Sequence, residues 1–233
     1  MNRPDLLCPL KSFYRFSPEL RITIVPELFL NMDHQRQILL TKVEQFVDYS
    51  LKSKLSPEMY FHNLEHTLLV VEGVKLISTA EKITDDERFI LILAAFLHDL
   101  GYTEKYIGHE EISAMVAEEF LRDNGVSEEM TENVVKCIIA TRYPQIPASQ
   151  LEKIICDADF YHFSLPDYQD FANRLKVEWE NNLNLFYSDL EWDKLNFKML
   201  SGHEYFTSYG KIVLQRKKDL NIGRLKSRID LLK

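Results

Sequence analysis

The most constraining feature of this sequence is an unbroken run of nine apolar residues that leads straight into a histidine and an aspartate. Residues 89–97 read FILILAAFL, and His98 and Asp99 follow directly. A helix that is apolar on every side is buried in the middle of a protein. An unpaired ionised carboxylate there would cost on the order of tens of kcal/mol, so it must be protonated, paired or bound to a metal ion. Adjacent His and Asp side chains at the end of a core helix suit the third possibility.

The rest of the sequence also favours helices. Its seven glycines and eight prolines are together about 6% of the chain, roughly half of average usage, which argues against a many-stranded sandwich or barrel. Thr84 and Glu87 form a capping-box pattern that predicts a helix start just before the apolar run. We therefore predict an all-α fold with short loops. Apolar spacing and start signals place the helices near residues 37–47, 63–77, 85–100, 109–122, 127–140, 149–159, 168–181, 190–200 and 203–218.

The length of 233 residues suits one domain preceded by an extension. The first 31 residues contain four prolines and no regular apolar spacing, so we expect an irregular N-terminal arm over residues 1–31 and a single helical domain over residues 32–233. Cys8, Cys137 and Cys156 form no CxxC pair, which is typical of reduced thiols in a cytosolic protein. The longest apolar run falls far short of the ~20 residues that span a bilayer. We expect a cytoplasmic protein without a transmembrane segment.

Charge is distributed unevenly along the chain. The sequence has 28 Lys and Arg against 36 Asp and Glu, a net charge of −8, which disfavours a domain that grips nucleic acid by bulk charge. Residues 211–233 hold eight basic residues against Asp219 and Asp230, a net charge of +6, so residues 1–210 carry −14. This segment is either a solvated final helix that packs on the domain, or an amphipathic basic helix that contacts a partner, a membrane surface or nucleic acid.

Three short polar segments follow one another along the chain: YFHNLEH at residues 60–66, FLHDLG at residues 96–101 and CDAD at residues 156–159. Taken in order, they resemble the HD superfamily of metal-dependent phosphohydrolases, which uses a histidine, a His-Asp pair and a later aspartate as metal ligands on separate helices. The resemblance spans about residues 56–165 and implies an HD-domain helical bundle. The additional C-terminal helices, in residues 166–233, would then pack around the mouth of the site.

The resemblance implies a metal ligand set of His66, His98, Asp99 and Asp159, in which Asp99 also serves catalysis. Two residues could match the final aspartate of the family pattern. Because positions two apart on a helix point about 200° from each other, Asp157 and Asp159 cannot both face one ion. The family pattern of an alanine before the ligand favours Asp159. Asp157 then becomes a hydrogen-bond acceptor beside the ligands or a catalytic acid near the site.

Three further residues are expected to serve catalysis or substrate binding. His62 matches the histidine that protonates the leaving oxygen in the cyclic-nucleotide phosphodiesterase branch of the family. His109 matches a position that binds a second metal ion or the substrate phosphate. Members with two metal ions add a histidine near the end of the following helix, where this chain has Arg142 and its neighbours instead. Arg142 either holds a phosphate or lies at an exposed helix end.

These residues predict a hydrolase that uses metal-activated water on a phosphomonoester or phosphodiester of a small molecule, with a nucleotide as the expected substrate. We expect one divalent ion per chain, from among Mn, Fe, Co, Ni, Zn and Mg. A first alternative is a non-catalytic, metal-stabilised sensor or regulatory domain that binds a nucleotide without turnover. A second is the oxygenase branch of the superfamily, which needs a two-iron site. The oligomeric state stays open, with a homo-oligomer as one option.

Overall fold

The computed structural model describes residues 33–232, and the regular elements in that range are helices, with no strand. The predicted all-α fold is therefore confirmed. The expected arm at residues 1–31, with Cys8, lies outside the described residues. The chain divides into a unit of residues 1–40 and a unit of residues 41–233, and the site described below lies in the second. The helices are α1 (His34–Lys54), α2 (Leu64–Glu81), α3 (Asp85–Leu97), α4 (His109–Asp123), α5 (Glu128–Ala140), α6 (Gln150–Asp159), α7 (Tyr168–Leu183), α8 (Asp189–Gly202) and α9 (Gln215–Leu231), with 3-10 turns at Leu100–Thr103 and Phe160–Ser164 and a π-helical turn at Gly210–Leu214.

Side-chain caps fix where the helices of the motif region begin. Thr84 and Glu87 make the predicted capping box: Glu87 N donates to Thr84 Oγ1 at 3.2 Å, and Thr84 N donates to Glu87 Oε2 at 2.8 Å. Asn63 caps α2 by accepting a hydrogen bond from Glu65 N at 2.9 Å. This cap leaves His62 in the chain just before the helix.

Helix α3 is the centre of the core. Every residue from Phe89 to Leu97 is buried, and the helix packs against α2, α4, α5 and α6. Fully burying a Leu, Ile or Phe side chain stabilises a fold by roughly 1.5–3 kcal/mol, so this helix is a large part of what holds the bundle together. Its end carries His98 and Asp99 into the protein interior. None of the helices in residues 33–232 combines the length and the apolar character that crossing a bilayer requires.

Two glycines let neighbouring elements approach closely around the end of α3. A Cβ atom on Gly101 would lie 2.0 Å from the carbonyl oxygen of His109, so only glycine allows the turn after α3 to touch the start of α4. A Cβ atom on Gly73 of α2 would lie 3.1 Å from Ala158 Cα of α6. The first contact brings His109 beside Asp99, and the second brings α2 beside the end of α6.

The helices after residue 165 pack on the bundle. Helix α9 contacts α8 and the 3-10 turn at Phe160–Ser164. Arg228 Nε donates to the buried Asp193 Oδ2 at 3.0 Å, and the side chain of Lys218 is fully buried. The basic segment therefore contains a final helix that packs on the domain, one of the two readings of its sequence. The apolar cluster beneath it consists of Phe163, Tyr168, Ala172, Leu200 and Leu225.

The predicted helix at residues 203–218 is wrong at its start. Residues 203–207 are not helical, and the helical stretch begins at residue 208 and continues to Leu231. Thr207 ends the irregular link, because Gly210 N donates to its Oγ1 atom at 2.9 Å in the manner of a helix cap. The N–H groups of Phe206 and Thr207, which a helix would pair with carbonyl oxygens, donate to the side chain of Asp157 instead.

Candidate metal centre

Four side chains from separate parts of the chain converge at the buried end of α3. His66 lies in the first turn of α2, His98 and Asp99 follow α3, and Asp159 ends α6. His66 Nε2 lies 3.3 Å from Asp99 Oδ2 and 3.4 Å from Asp159 Oδ1. His98 Nε2 lies 3.2 Å from Asp99 Oδ2 and 3.8 Å from Asp159 Oδ1. The structure thus brings together the four residues that were expected as metal ligands.

Hydrogen bonds to surrounding groups orient these side chains. His98 Nδ1 donates to the carbonyl oxygen of Ala95 at 2.8 Å, so Nε2 is the nitrogen that can offer a lone pair to a metal ion once its proton is displaced. Gln145 Nε2 donates to Asp159 Oδ2 at 3.1 Å, and Asp159 Oδ1 faces the histidines. The ligand atoms are therefore held toward a common centre by groups outside it.

Three atoms of the cluster side chains are buried without a hydrogen bond. His66 Nδ1, His98 Nε2 and Asp99 Oδ2 have no hydrogen-bond partner among the described residues. A buried polar group left in this state costs about 1–3 kcal/mol. One ligand atom from each of His66, His98 and Asp159 lies within 4.8 Å of the others. Imidazole nitrogen and carboxylate oxygen are common ligands of divalent metals, so the donor set fits one such cation.

The electrostatics of the cluster also favour a cation. Burial would raise the pKa of Asp99, but His98 and His109 hold it well below its usual range. Burial would likewise raise the pKa of Asp159, and the hydrogen bond from His66 lowers it. Burial would lower the pKa of His98, but the carboxylates of Asp99 and Asp159 raise it to about 9. Both carboxylates are therefore ionised, and a divalent ion would balance them and displace the His98 proton.

His62 lies beside this cluster and is held by a carboxylate from the C-terminal extension. Its Nδ1 atom pairs with Glu178 Oε1 of α7, and its Nε2 atom lies 3.2 Å from the hydroxyl of Tyr102. The rings of His62, Tyr102 and His109 stack, with centroids 4.2 Å and 3.7 Å apart. Since the Nδ1 atom is occupied, Nε2 is the nitrogen that remains for chemistry in the cavity.

Glu178 is the residue that the sequence analysis missed. Its carboxylate is fully buried and accepts hydrogen bonds from Phe61 N at 2.7 Å, His62 N at 3.0 Å and the hydroxyl of Tyr106 at 2.8 Å. Burial would raise its pKa, but His62 lowers it, so the group is ionised. The available signal was its position seven residues after Phe171, which puts a carboxylate on the apolar face of α7.

His109 begins α4 and faces Asp99 from the opposite side of the stack. Its Nδ1 atom donates to the carbonyl oxygen of Tyr106 at 3.1 Å, and its Nε2 atom lies 3.5 Å from Asp99 Oδ1. Burial would lower the pKa of His109, and Asp99 raises it. A side chain in this position can meet an anionic group bound next to the cluster.

Asp157 and Arg142 make their contacts outside this arrangement. Asp157 accepts hydrogen bonds from Phe206 N at 2.8 Å, Thr207 N at 2.9 Å and Thr207 Oγ1 at 2.6 Å. It faces away from Asp159, as the helix geometry requires, and anchors the link before α9. Arg142 is exposed beyond the end of α5 and pairs with Glu111. Asp157 is thus an acceptor in the fold, and Arg142 lies at a helix end.

A cavity of about 770 Å³ opens onto the cluster. Asp99, His109, Asp159 and His62 are among the residues that line it. Helices α7 and α8 contribute a further set of lining residues, most of them apolar. This volume lies within the range of ~300–1,000 Å³ that is typical of small-molecule sites.

Comparison with known proteins agrees with this geometry. Residues 63–164 match the HD domain family. The structure is similar to the crystal structure of a predicted HD superfamily hydrolase from an uncultured Thermotogales bacterium, with a TM-score of 0.59 and 20% sequence identity over 89% of this chain and 98% of that chain. Among curated proteins, no sequence match was found. The matched range contains His66, His98, Asp99 and Asp159, and the similar structure shares the fold. The chain therefore contains an HD domain, which occupies residues 63–164.

Proposed function

We propose that this protein is a metal-dependent phosphohydrolase that cleaves a phosphomonoester or phosphodiester of a small molecule. The observation that carries the proposal is the convergence of two histidines and two aspartates beside a cavity, with three of their buried atoms left without hydrogen bonds. His66, His98, Asp99 and Asp159 would hold one divalent ion from among Mn, Fe, Co, Ni, Zn and Mg. When bound, the ion lowers the pKa of a water molecule and polarises a phosphoryl oxygen.

The residues around the cluster supply the proton chemistry. In the reaction, a water oxygen bonds to phosphorus, the bond from phosphorus to the ester oxygen breaks, and the leaving oxygen takes a proton. His62 Nε2 faces the cavity and donates that proton, while Glu178 holds the Nδ1 atom. His109 binds a phosphoryl oxygen beside Asp99. Asp99 contributes to catalysis because one of its carboxylate oxygens belongs to the metal site and the other faces His109.

The proposal includes a cytoplasmic location. Cys137 and Cys156 are free and buried, and burial raises the pKa of Cys137 to about 12. Unpaired thiols are typical of proteins in a reducing compartment. Fractionation of the source cells, with detection of the protein in the soluble fraction or elsewhere, tests this point.

Metal analysis combined with a hydrolysis screen tests the function. The protein is stripped with a chelator, reloaded with each of the six metals, and assayed against phosphomonoesters for release of phosphate and against phosphodiesters for release of the alcohol. We expect Asp99→Ala to lose both bound metal and hydrolysis. Arg142→Ala is the matched control, because Arg142 is exposed and outside the cluster, and it should retain both.

Two outcomes would contradict the proposal. Phosphate release by Asp99→Ala without bound metal would rule out the metal-dependent mechanism. Binding of phosphoesters to the metal-loaded protein without hydrolysis of any of them would favour the non-catalytic sensor instead.

A further inference from the structure

Helices α7 and α8 of the C-terminal extension supply one wall of the cavity, and its lining side chains are mostly apolar. Helices α7 and α8 each present one face to it, with residues spaced three or four apart. This wall lies beyond the matched HD domain, which ends at residue 164. The side chains that define it are Phe171, Leu175 and Trp179 of α7 and Trp192, Leu195 and Met199 of α8.

Three uncharged polar side chains of this wall, Tyr168, Trp192 and Asn196, already have partners within the protein. The hydroxyl of Tyr168 donates to Asn196 Oδ1 at 2.5 Å, and Asn196 Nδ2 donates to the carbonyl oxygen of Trp192 at 2.8 Å. Trp192 Nε1 donates to the carbonyl oxygen of Ala172 at 3.1 Å. A site that reads a nucleobase needs donors and acceptors that are free to meet its edge. This wall instead offers rings and aliphatic side chains.

Positive charge is also scarce around the cavity. Among the described residues that line it, Lys198 is the one lysine or arginine. The nearby cations of α7 are engaged elsewhere: Arg174 donates to Glu65 at 2.8 Å, and Lys176 donates to Asp189 at 2.8 Å. Asp99 and Asp159 already balance a divalent metal ion, so a diphosphate or triphosphate chain would bring more negative charge than Lys198 and His109 can balance. The arrangement suits a single phosphate.

We infer that the cavity takes a phosphomonoester of a hydrophobic alcohol, with its phosphate at the cluster and its apolar chain against α7 and α8. For the phosphate group of the ligand, the inference rests on the proposed function. For its organic part, the inference rests on the side chains that line the wall. It replaces the nucleotide that was expected from the sequence with a ligand whose organic part is bound by burial rather than by hydrogen bonds.

The two tryptophans of the chain, Trp179 and Trp192, both line the wall, so their fluorescence reports binding without turnover. The metal-loaded protein is titrated with butyl-, hexyl- and octylphosphonate, which cannot be hydrolysed at a phosphate ester bond. We expect each added CH₂ group to lower Kd about fourfold, which corresponds to ~0.8 kcal/mol per buried CH₂. A Kd that does not change with chain length, or tighter binding of adenosine 5′-monophosphate than of octylphosphonate, would overturn the inference.

Substitutions on the wall provide the structural control. Leu175→Asn and Leu195→Asn should each weaken octylphosphonate binding by about fivefold or more and flatten the dependence on chain length. The same change at Leu185, which is 40% exposed and outside the cavity, should leave both unchanged. Equal effects of all three substitutions would contradict binding at this wall.

Hydrolysis of the matching alkyl phosphates separates this inference from the proposed function. If Kd falls with chain length but no alkyl phosphate releases phosphate, the ligand class holds and the enzymatic proposal fails. If phosphate is released at a kcat/KM that is independent of chain length, the enzymatic proposal holds and the inference about the ligand fails.

Discussion

At the scale of single residues, Glu178 determines how His62 can act. The buried carboxylate accepts hydrogen bonds from the backbone of Phe61 and His62 and pairs with the His62 ring at Nδ1. It therefore fixes both the path of the chain before α2 and the nitrogen that faces the cavity. Groups that orient a functional histidine from outside the reacting atoms are commonly worth 10–100-fold in activity. Glu178 is a positioning residue in this sense.

Glu178→Gln keeps the size of the side chain and removes its charge, and we expect it to lower kcat about 10–100-fold with little change in KM or bound metal. His62→Asn should lower kcat about 10²–10⁴-fold. Because Glu178 acts through His62, the double variant should be no slower than His62→Asn alone. The measurement is steady-state phosphate release across pH for all four proteins, and strictly multiplicative losses would contradict the coupling.

At the scale of elements, the contact between the turn after α3 and the start of α4 should tolerate nothing larger than glycine. A Cβ atom at position 101 would lie 2.0 Å from the His109 carbonyl oxygen. We expect Gly101→Ala to reduce the free energy of unfolding by about 1–3 kcal/mol and to weaken metal binding, because Asp99 and His109 move apart. Urea unfolding and a metal titration measure the two effects.

Gly223→Ala is the matched control for this prediction. Gly223 lies inside α9, and a Cβ atom there meets nothing within 4 Å. Alanine has the higher helix propensity, so this change should raise the free energy of unfolding by about 0.5–1 kcal/mol and leave metal binding unchanged. The same substitution thus has opposite signs at the two glycines. A Gly101→Ala protein as stable as the wild type would show that α4 can shift without cost.

A helix could be predicted from the sequence where the residues that determine it lie close together in the chain. The capping box at Thr84 and the apolar run after it lie within a few residues of one another, and both predict α3 correctly. The link at residues 203–207 could not be predicted, because the carboxylate that binds it, Asp157, lies about 50 residues away in sequence. Glu178 could not be predicted for the same reason, because its partners Phe61 and His62 lie 117 and 116 residues away in sequence. The four-residue cluster was expected only because its motifs resemble a known family, since spacing alone cannot bring separate helices together.

At the scale of the whole chain, the charge imbalance between residues 1–210 and residues 211–233 is partly resolved by contacts. Arg228 pairs with Asp193, and Arg224 donates to the carbonyl oxygen of Pro166 at 2.9 Å. Lys218 is buried rather than solvated. Arg224 and Arg228 therefore bind α9 to the rest of the domain. These basic residues make contacts within the protein itself.

The stability of the whole fold should depend on Lys218 above neutral pH. Burial lowers the pKa of Lys218 to about 8 from an ordinary value of 10.5. Between about pH 8 and 10 the unfolded chain binds more protons at this position than the folded chain, so this residue's contribution to stability rises with pH. Below that window the amine is charged in both states, and its burial opposes folding. The wild type should therefore gain stability relative to Lys218→Met as pH rises from 8 to 10.

Urea unfolding at several pH values measures this difference, with Lys217→Met as the control because Lys217 is exposed. The Lys217→Met protein should follow the wild type at every pH. A constant difference between the wild type and Lys218→Met across the range would show that Lys218 keeps an ordinary pKa in the fold.

Helix α7 contributes both the partner of His62 and part of the apolar wall. Glu178 on this helix holds His62, and Leu175 and Trp179 on the same helix line the apolar wall. A chimera that exchanged residues 168–202 for the extension of another HD protein would change ligand choice and remove the partner of His62 in the same step. On the proposed function and ligand, selectivity and proton delivery depend on the same helix, and we expect a transplanted extension to restore turnover only if it brings its own carboxylate to the equivalent turn.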